Sequence, residues 1–413
     1  MSDAATTMTH VPPAGELAYE PLDVADLPSG PHKSFLRKAI DDTFCQFGAR
    51  AGAVWIVFLV FCAVAAPYIA SSHPILMKVG GQWSSPMWRH LTPVDLLLTA
   101  LAITFLAMWL IRRASFGQIL AALLIVIAVV GPLAYGFKRP PETVNWPMYR
   151  ELQRQGKAEV MIHTIIPYSP TDRLRDLPQH RLKPPSRQHW LGTETDGADL
   201  LSRMIHASRI ALSIGLISTS ISITIGILIG GLMGYFVGKI DLIGMRLIEI
   251  FEAVPALLVL ITVMVAWGQR DIYVMMVTIG FLSWTGTARF IRAEFLRLRQ
   301  QDFVQAAIAC GLPRWIVIYR HILPNGLTPV LVTATFGVAA AILTESTLSF
   351  LGLGLVDEPS WGQMLNQARA GGQGFVWWMA TFPGAAIFLT VYSYALIGDA
   401  VRDAIDPRLQ KQE

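Results

Sequence analysis

The sequence predicts an all-α protein that crosses a membrane about eight times. Of its 413 residues, 53% are hydrophobic and only 15% charged, with a mean hydropathy of +0.47. A soluble domain of that length carries more charge. Apolar runs long enough to span a bilayer recur along the chain. The short segments between them alternate between rich and poor in Lys and Arg, as loops on opposite sides of a membrane do. A segment in lipid must satisfy its own backbone groups, so each run reads as a helix.

In chain order, residues 1–50 form an N-terminal tail. Its first stretch, Met1 to about Gly30, is polar and Pro-rich with no apolar core. That composition reads as a disordered cytoplasmic tail and not as a cleaved signal peptide. Spans are expected over 51–70, 94–111, 116–136, 208–237, 250–268, 272–290, 325–347 and 379–398. The second and third form a hairpin about the turn Arg112–Ser115, with few small-residue stripes or polar groups, so 51–136 reads as a first span plus a peripheral, lipid-facing hairpin. Residues 137–207 are rich in Pro and charge and read as an external segment of extended covering loops, long enough to escape the charge rule. Residues 208–400 are the working core and 401–413 a second cytoplasmic tail.

Orientation follows from the short loops. One set carries Arg112, Arg113, Lys239, Arg246, Arg292, Arg297, Arg299, Arg314 and Arg320, and the C-terminal tail adds Arg402, Arg408 and Lys411. The opposite set holds little more than Lys78, Arg89, Arg270 and Arg369. Both termini are therefore expected in the cytoplasm. The net charge of +4 has the same origin, and there are no basic-aromatic clusters of the kind that grip single-stranded nucleic acid.

Several chemistries find no support. Cys45, Cys62 and Cys310 suggest neither a disulfide framework nor a cysteine metal site, and the nine histidines show no ligand spacing. Gly238-Lys239 lacks the upstream glycine of a phosphate loop, and no nucleophile elbow is present. No catalytic residue, metal or bound cofactor is expected on this chain. If ATP is used, a partner binds it.

The span 208–237 carries Gly226, Gly230, Gly234 and Gly238 on one helix face, suited to close packing or to a moving seam. Ser213, Ser218, Ser220, Ser222 and Thr224 either line a wet path or hydrogen-bond within the helix. Glu345 is an ionisable group in an otherwise apolar span, a candidate path or gate residue together with Ser213, or else a carboxylate that reaches a neighbouring helix. Arg246 and Glu249 are three apart and suited to pair. The most informative segment is Asp302–Pro324, DFVQAAIACGLPRWIVIYRHILP. It reads as a short helix with the small face Gln305-Ala306-Ala307, a C′ glycine at Gly311, and a second helix opened by Pro313. Leu323-Pro324 then leads into the next span. Trp315, Ile316, Ile318, Tyr319 and Ile322 supply apolar faces. So much order between two spans suggests that a soluble partner docks there.

These intervals resemble the EAA loop of ABC importer permeases: Glu-Ala-Ala, three residues, Gly, then about ten residues to Ile/Leu-Pro. Here Gln305 replaces the Glu, while Ala306, Ala307, Gly311, Leu323 and Pro324 agree. Further motifs resemble the C-type subunit of the dipeptide/oligopeptide permeases. They begin with an external motif of His189, Trp190, Leu191, Gly192 and Thr193, then Gly197, Asp199, Ser202, Arg203, Arg209, Leu212, Ser213 and Gly215. SWTGTARFIRAEFL (Ser283–Leu296), LSFLGLGL (Leu348–Leu355), PSWGQMLNQAR (Pro359–Arg369) and GDAVRDAIDPRL (Gly398–Leu409) follow in the family's order. Glu194, Ala198 and Ala207 stand where the family usually has Asp, Arg and Gly. Members usually have one span ahead of the external motif, so 94–136 is an addition that leaves the topology unchanged.

The resemblance implies a six-span type I ABC importer core plus the N-terminal hairpin, in a bacterial inner membrane. Residues 291–324 would form the cytoplasmic coupling loop, with Asp302, Gln305, Ala306, Ala307, Gly311, Pro313, Leu323 and Pro324 seated on an ATPase. It also implies a homologous second permease, two ATP-binding subunits that carry ATP and Mg, and an external solute-binding protein. Peptides are the leading cargo, with metal chelates and peptide-like antibiotics as alternatives. A stand-alone channel or secondary transporter would instead require inverted repeats and mid-membrane charge, and the sequence offers no convincing repeat and few such charges.

Overall fold

The computed structural model describes residues 41–111, 115–137, 146–268, 271–355, 358–370 and 374–405. The tail up to residue 40, Arg112, Arg113, Arg270, Arg408 and Lys411 lie outside the described residues.

The first helix, α1 (Phe47–Ile69), starts ahead of its expected edge and contains Pro67. A first crossover leads through β1 (Leu76–Val79), β2 (Gln82–Ser84) and a short α2 (Pro86–His90). The hairpin follows as α3 (Pro93–Leu110) and α4 (Phe116–Phe137). Thr92 and Asp95 open α3 as a reciprocal capping box, which satisfies two backbone donors that would otherwise be orphaned. Beyond α4 come α5 (Trp146–Arg154) and β3 (Ala158–Ile162).

The core is built on α6 (Leu200–Phe236), 37 residues long and started by Asp199, whose side chain accepts from the Ser202 N–H. At 1.5 Å per residue it is about 55 Å long against roughly 30 Å of hydrocarbon. It therefore begins well outside the membrane, at Leu200 and not at 208. Next come α7 (Lys239–Ala253), α8 (Ala256–Trp267), α9 (Ile272–Arg299) and α10 (Asp302–Ala309). A short α11 (Arg314–Ile316) runs through a π turn, Val317–Ile322, into α12 (Leu323–Phe350). The chain closes with α13 (Trp361–Ala370) and α14 (Trp377–Ile405).

Among the described residues, seven helices are long and apolar enough to cross a membrane: α1, α3, α4, α6, α9, α12 and α14. The pair α7 and α8, bent by 72°, raises the number to as many as eight. The expected single span 250–268 is broken because Pro255 has no N–H to continue the ladder and instead caps α8. With 12 residues α8 is only about 18 Å long, so it cannot cross alone.

The bundle has two distinct ends. The cap end carries the crossovers before α3 and before α6, and the loop end carries α10 and α11. At the cap end, a three-stranded antiparallel sheet in the order β2-β1-β3 pairs Met77 with Ser84 on one side and with Met161 on the other. The all-α prediction describes the membrane part, and the covering loops expected over 137–207 are in fact partly ordered into this sheet and α5. Helix α6 occupies the centre and packs on α9, α12 and α1. Its glycine face is a close-packed seam: a Cβ at Gly230 would lie 2.3 Å from the Ala288 carbonyl oxygen of α9. Gly226 and Gly234 meet α9 in the same way, whereas Gly238 has φ +71° and serves as the turn into α7. Among the described residues the hairpin packs on the rest of the bundle mainly through α3 against α1.

Candidate functional site

At the loop end, α10 closes with a Schellman pattern. The Gly311 N–H donates to Ile308 O at 2.9 Å and the Leu312 N–H to Ala307 O at 3.3 Å. Gly311 takes φ +75°, which a residue with a Cβ adopts only under strain. Pro313 is the N-cap of α11 and not its first turn. Val304, Ala307, Val317 and Ile322 are buried against Ile291, Phe295 and Leu298 of α9 and Tyr235 of α6. Of the expected small face, Ala307 therefore points inward while Gln305 and Ala306 are exposed. Gln305 Nε2 donates to Arg299 O at 2.8 Å, tying α10 to the C-terminus of α9, a bond that a glutamate carboxylate could not donate. Asp302 is exposed in the first turn of α10, where negative charge is favourable.

The opposite face of this element is apolar and open. Phe303, Ile308, Leu312, Trp315, Ile316 and Tyr319 are exposed, Trp315 by 65% and Tyr319 by 76%. Leu323-Pro324 does not break the helix. Pro324 cannot donate, and the turn before it widens so that the Leu323 N–H reaches back five residues to Ile318 O. The helical path from Arg314 to Phe350 is thus continuous.

At the cap end, the external motif is folded into a knot at the start of α6. His189, Thr193, Asp199, Ser202 and Arg203 are buried, and Trp190 is exposed. Asp199 Oδ1 lies 2.8 Å from His189 Nδ1, and His189 Nε2 lies 2.8 Å from His180 Nδ1. The chain is satisfied when His180 donates to His189 and His189 donates to Asp199. Ser202 Oγ donates to Tyr168 O and Arg203 Nη2 to Gln363 Oε1 of α13. Trp378 Nε1 of α14 donates to Thr193 O. Gly192 (φ +86°) and Gly197 (φ +90°) let the knot close, since a Cβ on either would lie 2.8 Å from a backbone oxygen, Lys183 O or Arg173 O. Glu194 and Arg203 form a buried ion pair at 2.7 Å, and burial pushes the Glu194 carboxyl up to about 7 against the pull of Arg203.

Between the two ends, α6, α9 and α12 enclose a cavity of about 360 Å³. Its lining is mostly apolar and includes Ser218, Thr219, Ser222, Ser283, Thr287 and Thr333, of which Ser218, Ser283 and Thr333 bond to backbone carbonyls. Ser222 Oγ meets Thr287 Oγ1 at 3.2 Å, and Thr219 Oγ1 is buried with no partner. Ser220 and Thr224 instead bond to carbonyls of their own helix, so the serine-rich stretch divides between the two expected uses. Ser213 is half-buried and does not line this cavity.

The profile of the family described as "Binding-protein-dependent transport system inner membrane component" matches residues 226–411. The oligopeptide transport system permease protein OppC of Haemophilus influenzae is 41% identical over 222 residues, 53% of this chain and 70% of that protein. This chain belongs to that family. The permease is also 36% identical to the dipeptide transport system permease protein DppC of Bacillus subtilis over 229 residues, 55% of this chain and 71% of that protein. The inner membrane ABC transporter permease protein YejE of Escherichia coli is 30% identical over 364 residues, 86% of this chain and 92% of that protein. One chain of the MetNI methionine ABC transporter superimposes with a TM-score of 0.40 at 17% identity, over 49% of this chain and 97% of that chain.

One buried and one half-buried ionisable group of the permease are fully engaged. Glu345, on α12, accepts from Ser349 Oγ and Ser360 Oγ, each at 2.6 Å, and from Ser346 Oγ at 3.3 Å. It thereby ties α12 to the segment before α13, and no contact joins it to Ser213. Arg209 of α6 pairs with Asp95 of the hairpin and donates from Nε to Ala63 O of α1. That carbonyl lacks its usual helical donor because residue 67 is proline. Sequence reasoning did not single out Asp95, Thr219 or Thr287. The Thr92-Pro93-Val94-Asp95 capping pattern was the available signal for Asp95, and a pairing 114 residues away had none.

Proposed function

We propose that this permease is one of two membrane subunits of an ATP-driven importer, moving peptides or peptide-like solutes delivered by an external binding protein. The loop end would face the cytoplasm with both termini, and the cap end the outside. Two ATP-binding subunits would carry ATP and Mg, since this chain offers no phosphate loop. The observation that carries the reading is the exposed apolar face of α10 and α11 on an element continuous with α12. A partner that docks there gains a lever into the core, because the π turn transmits movement of Arg314–Ile322 directly to α12. ATP drives transport if the ATPase pair binds one position of this lever more tightly than the other. The cavity beside α12 is the segment of path that such movement would open and close. Peptide cargo is supported by the names of the relatives.

The test is the double substitution Trp315→Ser, Tyr319→Ser in the assembled transporter. Tyr319 is exposed and Trp315 touches the chain through one edge-on contact with Phe236, so the protein still inserts and loses at most about 1.5 kcal/mol of stability. ATP-driven peptide uptake into proteoliposomes is expected to fall to background. Uptake at the wild-type rate would remove the docking role.

A further inference from the structure

A second cavity, of about 370 Å³, lies in the cap over the first turn of α6, lined by Trp146, Asp172, Arg173, Arg175, Asp176 and Arg203 among others. We propose that it binds the terminal carboxylate of an incoming peptide. The inference rests on the importer reading above and adds a subsite to it.

The two carboxylates in the wall are already engaged. Arg150 donates to Asp172 at 2.7 Å and to Asp176 at 2.6 and 2.8 Å, and Ser72 Oγ adds a bond to Asp172 at 2.7 Å. The donors are not. Arg175 makes no side-chain hydrogen bond or ion pair among the described residues, and Arg173 reaches Asp196 only at 3.8 Å. Trp146 Nε1 is buried without an acceptor. Arg203 is a fixed part of the wall: its Nε is ion-paired with Glu194, and it donates from Nη1 to Pro170 O and from Nη2 to Gln363 Oε1.

A buried donor without an acceptor is costly unless a ligand supplies one. Here one such donor, Trp146 Nε1, and the free guanidinium of Arg175 line one recess. A carboxylate offers two oxygens with about four acceptor positions, matching a guanidinium fork and an indole N–H together. The formal charges around the recess balance, Arg150, Arg173, Arg175 and Arg203 against Asp172, Asp176, Asp196 and Glu194. Burial pushes the Glu194 carboxyl up to about 7, which tips that balance toward positive near neutral pH. The volume is at the small end of the roughly 300–1,000 Å³ of ligand pockets, so it suits the last one or two residues of a peptide. Arg203 joins the recess to Gln363 of α13, so a peptide held there is anchored beside the start of the core.

The experiment uses the full-length permease in nanodiscs and equilibrium binding of radiolabelled trialanine and of trialanine amide. Trialanine is expected to bind at least about tenfold more tightly than its amide, the size of one lost charge-assisted hydrogen bond. Arg175→Gln, at an exposed side chain, is expected to leave thermal unfolding unchanged and to erase the difference. Trp146→Phe should narrow it. Equal binding of acid and amide, or a difference that survives Arg175→Gln, overturns the proposal. Acetate binding as tightly as trialanine reduces the recess to a simple anion site and overturns the peptide assignment. The importer reading fails separately, through normal uptake by the Trp315, Tyr319 variant, and that result leaves the acid-amide comparison standing.

Discussion

The two ends of the bundle use their motif residues in opposite ways. At the cap end, the polar side chains of the external motif are consumed by one another: Asp199 by His189 and the Ser202 N–H, Arg203 by Glu194 and Gln363. At the loop end, the apolar side chains of α10 and α11 face away from the chain, while only Val304, Ala307, Val317 and Ile322 serve the core. A motif spent internally sets shape, and a motif left open sets contact. Substitutions at the cap end should therefore register first as lost stability, and those on the open face of the loop end as lost transport from a stable protein.

The largest expected effect is Arg203→Met. It leaves Glu194 buried and unpaired, and breaking such a pair costs about 3–5 kcal/mol. Thermal unfolding in detergent should fall sharply, and an unchanged midpoint would break the contrast. At the loop end, Ala306→Asp and Ala307→Asp sharpen it from adjacent positions. Ala307 is 7% exposed, so its aspartate buries a charge and destabilises the protein by more than about 2 kcal/mol. Ala306 is exposed, so its aspartate should leave the midpoint alone and abolish uptake. Equal midpoints for the two variants would mean that α10 does not sit as described. Gly311→Ala forces a Cβ into φ +75° and should cost about 1–2 kcal/mol, read as a lowered midpoint with reduced uptake.

The smallest effect is a pH slope at the cap end. Burial lifts the Glu194 carboxyl to about 7 from 4.5, so the folded state gains protons as pH falls through 7 and is stabilised by acid. Burial, with His90 beside it and Asp172 opposing, lowers His73 to about 4 from 6.5, so there the unfolded state gains protons first and acid destabilises. Between pH 6.5 and 4.5 the two oppose each other. Glu194→Gln removes the compensating partner. Its stability should fall more steeply below pH 6.5 than that of wild type, by at most about 1.4 kcal/mol per pH unit. Parallel slopes in urea titrations would count against the raised Glu194 carboxyl.

Much of the architecture was legible in the sequence because it is local or periodic. Apolar length gave most of the spans, and the spacing of Gly311 gave a helix end that the Schellman bonds realise. What escaped depends on distant partners. The strands of the cap are three to five residues long, and β1 pairs with β3 across the whole hairpin. The inward turn of Ala307 depends on Phe295 and Leu298 of α9. Pro255 was visible, but the size of the bend it allows is set by how α7 and α8 pack on α9. Glu345 stood out as a charge in an apolar run, whereas its three serine donors become apparent only when α12 meets the segment before α13.

The bond between Arg209 and Asp95 makes the peripheral hairpin an electrostatic partner of the core. An arginine entering the bilayer meets a steep barrier unless a counter-charge is waiting. Here the carbonyl of Ala63, left without a helical donor by Pro67, and the carboxylate of Asp95 together hold the guanidinium of Arg209. The hairpin thus supplies the counter-charge of a core helix. Deleting it would leave Arg209 without its carboxylate partner.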